Sequence, residues 1–283
     1  MRLGYVASQP QYAEHLRPIW EASPGPFGNQ PSGEADRWLV ASTADLRQVS
    51  DVYMEHGVGL AWHRRDALAD IAKATVLAPN DFIADRYRNV GIEATVIGTP
   101  KLDGYASLPQ GNAVAVGFHW TSSVYSHILA DYEEAIRELA KTVPVIGHGH
   151  PRAWRRLEPY WRSLGIEPVE DFREVIRRSR LWVCDHSSTL YEYAALNRPV
   201  VLLKGPERKP FESTGLRYTS HAGIGPHADP RSMVRTVLEA LEAPGSYAQP
   251  RRDMTADLFP YLGFSVRKVL HVLNADGQYR EAI

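Results

Sequence analysis

Three apolar, strand-like runs of this chain each end on a histidine: Val52-Tyr53-Met54-Glu55-His56-Gly57, Val145-Ile146-Gly147-His148-Gly149-His150-Pro151 and Trp182-Val183-Cys184-Asp185-His186. Imidazole titrates near neutral pH, so each can take a hydroxyl proton, protonate a leaving group or donate to a phosphate oxygen. The glycine after His56 permits close backbone approach. His150 precedes Pro151, which holds it extended and aims it out of the strand end. The third run continues as Ser187-Ser188-Thr189-Leu190-Tyr191-Glu192. Serine and aspartate are favoured N-caps. The free N–H groups and dipole of a helix start also suit a phosphate, with hydroxyls as added donors. Plain capping explains the same residues without a ligand. Glu192 falls one turn beyond Ser188 on the same side, within reach of a ribose diol; the alternative is a solvated helix glutamate. Glu55 is expected to point the opposite way from His56 if the strand persists.

Other candidates carry less. His119-Trp120-Thr121-Ser122-Ser123 follows another apolar run, where a nucleobase or acceptor contact is one reading. His148 and His150 have a spacing that raises the question of a metal, but a third and fourth ligand and an acidic cluster are missing, so no metal is expected. Cys184 has no basic neighbour in sequence to lower its pKa and is not read as a nucleophile. His63, beside Arg64 and Arg65, and His227, in a Gly/Pro loop, read as surface or structural residues.

These residues need strand ends to present them, and the elements can be read from periodicity. Strands are expected at residues 3–7, 38–41, 52–54, 76–78 and 95–97, with helical spacing at 11–21, 44–49, 65–73 and 81–89. After a turn-rich stretch the rhythm restarts, with strands at 113–118, 143–147, 181–185 and 199–203 and helices at 127–140, 153–163, 173–178 and 189–196. The stretch 23–33 reads as a Pro/Gly loop, and closing helices are expected at 230–242 and 260–274. Short apolar runs alternating with helices predict parallel sheets of the doubly wound kind. The predicted fold class is therefore α/β, with two Rossmann-like domains facing across a cleft. The expected division is 1–103, an acceptor-side domain; 112–259, a donor-binding domain; and 260–283, a closing helix packing back on the first domain. A length of 283 residues fits about two domains. Ligands of such sheets bind at the carboxyl ends of the strands.

Composition excludes several classes. Hydrophobic residues make up 44% and charged residues 23%, which is globular rather than disordered or fibrous. With 32 Lys and Arg against 33 Asp and Glu the net charge is −1, so general nucleic-acid binding is not expected. A single cysteine excludes intramolecular disulfides and fits a reducing compartment. The first ten residues lack the apolar core of a signal peptide, and no run is long enough to span a membrane. The expectation is a cytoplasmic protein.

Glu55-His56-Gly57, Gly98-Thr99-Pro100-Lys101-Leu102-Asp103, His150-Pro151 and Asp185-His186-Ser187-Ser188…Glu192…Asn197-Arg198-Pro199 together resemble the CDP-glycerol glycerophosphotransferase family, the teichoic-acid primases and polymerases of the GT-B superfamily. The matching motifs keep the family order from residue 53 to about 203. Two features depart from it. No lysine follows His-Gly in Val58-Gly59-Leu60-Ala61-Trp62, and His119-Trp120-Thr121-Ser122 stands where the family has Pro-Thr-x-Arg. The resemblance implies transfer of glycerol phosphate from CDP-glycerol to a hydroxyl, with loss of CMP. It implies His56 as base, His150, Ser187 and Ser188 on the pyrophosphate, and Glu192 on the ribose. The expected catalytic residues are thus His56 and His150. The expected donor-binding set is His119, His148, His150, Asp185, His186, Ser187, Ser188, Thr189 and Glu192. No cofactor or metal is expected besides the nucleotide-diphosphate donor. The partners expected are that donor, a hydroxyl acceptor, and an anionic membrane face touched through the closing helix and the Arg-rich stretches Arg152-Ala153-Trp154-Arg155-Arg156 and Arg177-Arg178-Ser179-Arg180, which also read as a solvated face.

Two other readings remain open. One is a UDP-sugar type glycosyltransferase acting on a surface, phage or nucleic-acid acceptor. The other is a non-catalytic nucleotide-binding module, from which His56 and His150 should have been lost. A nucleotide-sugar epimerase of the same two-domain type fits the Asp185–Ser188 segment less well.

Overall fold

The computed structural model describes residues 1–58, 65–119, 128–185, 187–204 and 222–273. His63, residues 120–123 and His186 lie outside the described residues. Two compact units emerge, one of residues 1–106 with the segment from Ala256 onward, the other of Ser107–Thr255.

In the first unit the order is β1 (Leu3–Val6), α1 (Pro10–Ala22), β2 (Phe27–Gly28), β3 (Arg37–Val40), α2 (Thr43–Val49), β4 (Val52–Met54), α3 (Arg65–Ile71), β5 (Thr75–Ala78), α4 (Asp81–Arg88), β6 (Ala94–Val96) and α5 (Pro100–Asp103). The six strands are parallel, in the order β2-β1-β3-β4-β5-β6. β1 and β4 are buried along their whole length, as strands covered on both faces must be. One face packs Leu3, Tyr5, Leu39 and Met54 against Leu16 and Ile19 of α1, and the other packs Val6, Val40, Tyr53 and Val76 against Leu46, Ile83 and Tyr87. The helices α2 and α4 start on side-chain caps, Ser42 Oγ accepting from the Asp45 N–H and Asn80 Oδ1 from the Ile83 N–H, both at 3.0 Å.

The second unit runs β7 (Ala113–Phe118), α6 (Ile128–Thr142), β8 (Val145–Gly149), α7 (Trp154–Ser163), β9 (Glu167–Pro168), α8 (Phe172–Arg178), β10 (Ser179–Cys184), α9 (Ser188–Ala195), β11 (Val200–Leu203), β12 (His227–Ala228) and α10 (Met233–Glu242). Its six parallel strands lie in the order β9-β8-β7-β10-β11-β12. Counted within the unit this is 3-2-1-4-5-6, the doubly wound Rossmann order, with its direction reversing between β7 and β10. Gly147 is required by packing, since a Cβ there would lie 2.2 Å from the ring of the fully buried Trp161.

The chain closes with α11 (Ala248–Leu258) and α12 (Ser265–Val272). Val269, Leu270 and Leu273 at the end of the chain's described part join Leu3, Tyr5, Leu16 and Ile19 in the first unit's core. The fold is thus two Rossmann-like α/β units. Among the described residues no helix is long and apolar enough to cross a membrane.

Candidate functional site

The carboxyl ends of β7, β8 and β10 flank the point where the second unit's strand order reverses, which is where open α/β sheets bind ligands. The structure gathers four of the sequence-predicted residues there. Asp185, directly after β10, is buried, and its Oδ1 accepts the backbone N–H of His119, directly after β7, at 2.9 Å. This bond ties the two loops together. The rings of His119 and His150 stand edge to face at 5.8 Å. His150 is extended at φ −63° and ψ 137°, as a residue before proline should be, and caps a short 3-10 turn through Nδ1, which accepts the Arg152 N–H at 3.1 Å. Nδ1 is therefore unprotonated, and the proton of the neutral ring sits on Nε2, where it can be donated. Ser187 is the N-cap of α9, with Oγ accepting from the Thr189 N–H at 3.3 Å and from the Thr189 hydroxyl at 2.9 Å. Because Ser187 accepts in both, its own hydroxyl proton remains to be given. Ser188 and Thr189, half-buried, form the first turn of the helix.

Three other residues singled out in the sequence, His148, Glu192 and Cys184, are buried, the last as expected of a thiol not read as a nucleophile. His148 lies inside β8, which runs two residues further than the strand expected at 143–147. Its ring is buried among Trp154, Phe172 and Trp182 at 5.5–6.4 Å, with Nδ1 2.8 Å from the Val169 carbonyl. Glu192 is 2% exposed, so the alternative of a solvated helix glutamate does not hold. Cys184 is buried with Sγ 3.7 Å from Asp185 Oδ1; burial, and then that carboxylate, push its thiol pKa well up.

In the first unit His56 follows β4 and faces α1. Its ring stands 5.0 Å from that of Tyr12 and 5.4 Å from that of His15. Its side chain is 24% exposed, while its Nδ1 is shut away from solvent, 3.6 Å from Glu55 Oε1. Glu55 turns to the face of Tyr53 and Tyr87 while His56 turns to α1, as strand alternation expects, yet Glu55 Oε1 still comes within 3.6 Å of His56 Nδ1 at the strand end. The carboxylate is buried and accepts from the Tyr87 hydroxyl at 2.7 Å, the Tyr53 hydroxyl at 3.1 Å and the His56 N–H at 3.0 Å. Burial, and then the Glu55 charge, raise the pKa of both tyrosines, which keeps them as donors. His15 is buried and held neutral, its pKa well lowered by desolvation, then by Lys101 and His56. Lys101 is itself buried and paired with Glu14 at 3.1 Å.

Tyr12, His15, Tyr53, Tyr87 and Lys101 were not picked out from the sequence as site residues. The signal for Tyr12 and His15 was their three-residue spacing on α1, which puts them on one helix face. Among the described residues no group of three or more His, Cys, Asp or Glu is arranged to hold a metal ion.

Two Rossmann-like units with polar residues at their strand ends define the GT-B class of fold. Solved structures agree. The chain is similar to the wall teichoic acid polymerase TagF, at 13% identity over 100% of this chain and 90% of that one, with a TM-score of 0.70. It is similar to a putative UDP-N-acetylglucosamine 2-epimerase from Listeria monocytogenes, at 13% identity over 99% and 97% of the two chains, with a TM-score of 0.65. It is also similar to the Methanocaldococcus jannaschii UDP-GlcNAc 2-epimerase in complex with UDP-GlcNAc and UDP, at 14% identity over 97% and 100%, with a TM-score of 0.63. At such identities the likeness is one of fold. No family model matches the chain, and no curated protein matches it.

Proposed function

We propose that this chain is a GT-B-type transferase that moves a glycerol-phosphate or glycosyl group from a nucleotide-diphosphate donor to an acceptor hydroxyl. The observation that carries the reading is the convergence of His119, His150, Asp185 and Ser187 at the reversal point of the second sheet. The start of α9 supplies the Ser188 N–H and a positive dipole end, Ser187 and Ser188 supply hydroxyls, with Thr189 holding Ser187 in place through its own hydroxyl, and His150 Nε2 supplies a proton donor; the donor diphosphate is what such a set neutralises. Glu192, buried on the same helix, is assigned to the ribose, and His148 supports the strand that carries His150. The sequence resemblance and the polymerase TagF among the neighbours both favour CDP-glycerol.

In this reading the acceptor hydroxyl oxygen attacks the phosphorus that carries glycerol, its proton passes to His56, and the bond to the departing CMP breaks. His150 donates to the oxygen left on CMP. Positioning and charge neutralisation carry most of such a step. We assign no metal to it; dialysis against a chelator should leave turnover intact, and loss restored by magnesium would overturn that assignment.

A second reading is a UDP-sugar enzyme. The observation for it is that two UDP-GlcNAc 2-epimerases match over 99% and 97% of the chain, against 100% for the polymerase, with TM-scores of 0.65 and 0.63 against 0.70. The deciding experiment incubates the protein with CDP-glycerol and with UDP-sugars, reading thermal shift and release of CMP or UDP. CMP release with a glycerol-phosphate acceptor supports the first reading, and UDP release the second. If neither donor shifts the melting temperature, both fail. With the accepted donor, His56→Ala should lower kcat at least about a hundred-fold and leave donor binding nearly unchanged.

A further inference from the structure

The group that faces the buried side of His56 is the carboxylate of Glu55, and the environment of that carboxylate is unusual for a residue beside a strand end. It is 2% exposed in its side chain, yet three donors converge on it: the hydroxyls of Tyr53 and Tyr87, from β4 and α4, and the His56 backbone N–H. Three hydrogen bonds accepted by a carboxyl stabilise its ionised form against the desolvation that burial imposes. Its second neighbour is His56 Nδ1, at 3.6 Å, beyond hydrogen-bond length but within ion-pair reach. Two different elements are thus spent on holding one charge against one nitrogen.

We propose that Glu55 is the positioning residue of His56: it holds the proton on Nδ1, leaves Nε2 as the basic nitrogen, and raises the basicity of the ring. The titratable groups that face His56 among the described residues are Tyr12 and His15 from α1 and Glu55 from its own loop, with the Lys101–Glu14 pair beyond His15. His15 is neutral and Lys101 is paired with Glu14, and Glu55 Oε1, 3.6 Å from Nδ1, is the acidic group that faces the ring. An acid next to an imidazole stabilises the imidazolium and fixes the tautomer of the neutral ring. Tyr53 and Tyr87 act one step further out, holding the carboxylate so that it cannot swing away.

The consequence for turnover rests on the reading of His56 as the proton acceptor, but the pairing itself is tested without substrate. Nitrogen-15 NMR of histidine-labelled wild-type protein reads the tautomer of His56 above its pKa. The Nδ1–H form is expected, and an Nε2–H form overturns the proposal with no variant needed. In Glu55→Gln the His56 pKa should fall by about one pH unit or more and the tautomer preference should weaken. Tyr87→Phe, which keeps the volume and removes one donor, should give a smaller fall in the same direction. An unchanged His56 titration in either folded variant overturns the proposal. In an active preparation, the acid limb of the kcat/KM profile should move down with the His56 pKa while KM stays nearly constant. If the NMR result holds and no transfer activity is found, the pairing stands and the proposed reaction is what fails.

Discussion

Replacing Ser187 separates two roles that the start of α9 confounds. Ser187 caps the helix, with Oγ 3.3 Å from the Thr189 nitrogen and 2.9 Å from the Thr189 hydroxyl, and in our reading it also gives its proton to the donor diphosphate. Loss of a cap costs about 0.5–2 kcal/mol of stability. Loss of a hydrogen bond to a charged acceptor costs about 1.5–3 kcal/mol of binding. Ser187→Ala should therefore do both: lower the unfolding midpoint and weaken the donor by roughly ten-fold or more. Ser188→Ala, which removes no cap, should weaken the donor at nearly unchanged stability. The double variant should lose about ten- to a hundred-fold in affinity, less than the product of the singles if the two hydroxyls serve the same oxygens. The decisive change is Ser187→Asp. Aspartate caps as well as serine, so stability should hold, but it sets a carboxylate where the phosphates should sit. Donor affinity should fall by at least about a hundred-fold. Calorimetric titration with the donor, beside thermal unfolding of the free protein, reads both quantities. If Ser187→Asp is as stable as wild type and binds the donor with unchanged affinity, no diphosphate lies against this helix start and the assignment of the site is wrong.

The remaining predictions concern the supports of both units. Asp185→Ala removes the acceptor of the half-buried His119 N–H at an expected cost of about 1–3 kcal/mol, while Asp185→Asn, which keeps an oxygen there, costs less; unfolding midpoints and the exchange rate of the His119 amide measure this, and wild-type values for Asp185→Ala would refute it. Gly98→Ala places a side chain on a backbone at φ +80°, with its Cβ 2.4 Å from both the Pro260 carbonyl oxygen and Ser265 Oγ, so it should destabilise the first unit by at least about 2 kcal/mol; an unshifted melting temperature would be the contrary result. His15 makes stability depend on pH. Its folded pKa lies below the ordinary 6.5, so as pH falls below 6.5 the unfolded chain takes up a proton that the folded one refuses. The stability it contributes is complete above 6.5 and is lost on acidification, at up to about 1.4 kcal/mol per pH unit until the folded pKa is reached. His15→Asn should remove that part of the slope in denaturant titrations run at stepped pH; an unchanged slope would mean that His15 titrates normally.

Much of the fold was legible because its central strands are short, apolar and covered on both faces. The runs expected at 3–7, 38–41, 52–54, 76–78 and 95–97 lie within a residue or two of β1, β3, β4, β5 and β6. The edge strands β2, β9 and β12 were not seen, since two residues cannot display a period. The helix α11 was also missed. It is polar around most of its circumference, and only Arg251, Met254 and Leu258 turn inward. The closing helix was expected from residue 260, but it begins at Ser265. Tyr261 and Gly263 take left-handed backbone angles of +61° and +85°, and Asp103 accepts the Gly263 and Val266 N–H groups at 2.9 and 2.7 Å. A cap supplied from 160 residues away leaves no trace in the local sequence. It also gives the Gly98–Asp103 motif a physical task, which is to dock the last helix onto the first unit.

At the site, the placement of each side chain traces to where a strand stops. His148 and His150 are two residues apart, so in a continued strand both rings would project from the same face. Pairing with β7 carries β8 on through His148, opposite Gly117, and Gly149, opposite Phe118, and no further. His148 is therefore committed to the aromatic cluster under the sheet, while His150, past the last pair and fixed by Pro151, turns toward His119. At β4 the alternation carries past the last pair. The Glu55 N–H still bonds the Leu77 carbonyl of β5 at 2.9 Å, so Glu55 shares a face with Tyr53 and Tyr87 while His56 faces Tyr12 and His15, and Glu55 Oε1 reaches to 3.6 Å from His56 Nδ1 at the end of the strand. In both strands one residue of ladder decides which face a ring or a carboxylate takes. That residue is set by the neighbouring strand, whose sequence lies twenty to thirty positions away. Residue types at strand ends can therefore nominate the chemistry of a parallel-sheet site, but only the ladder assigns it to particular atoms.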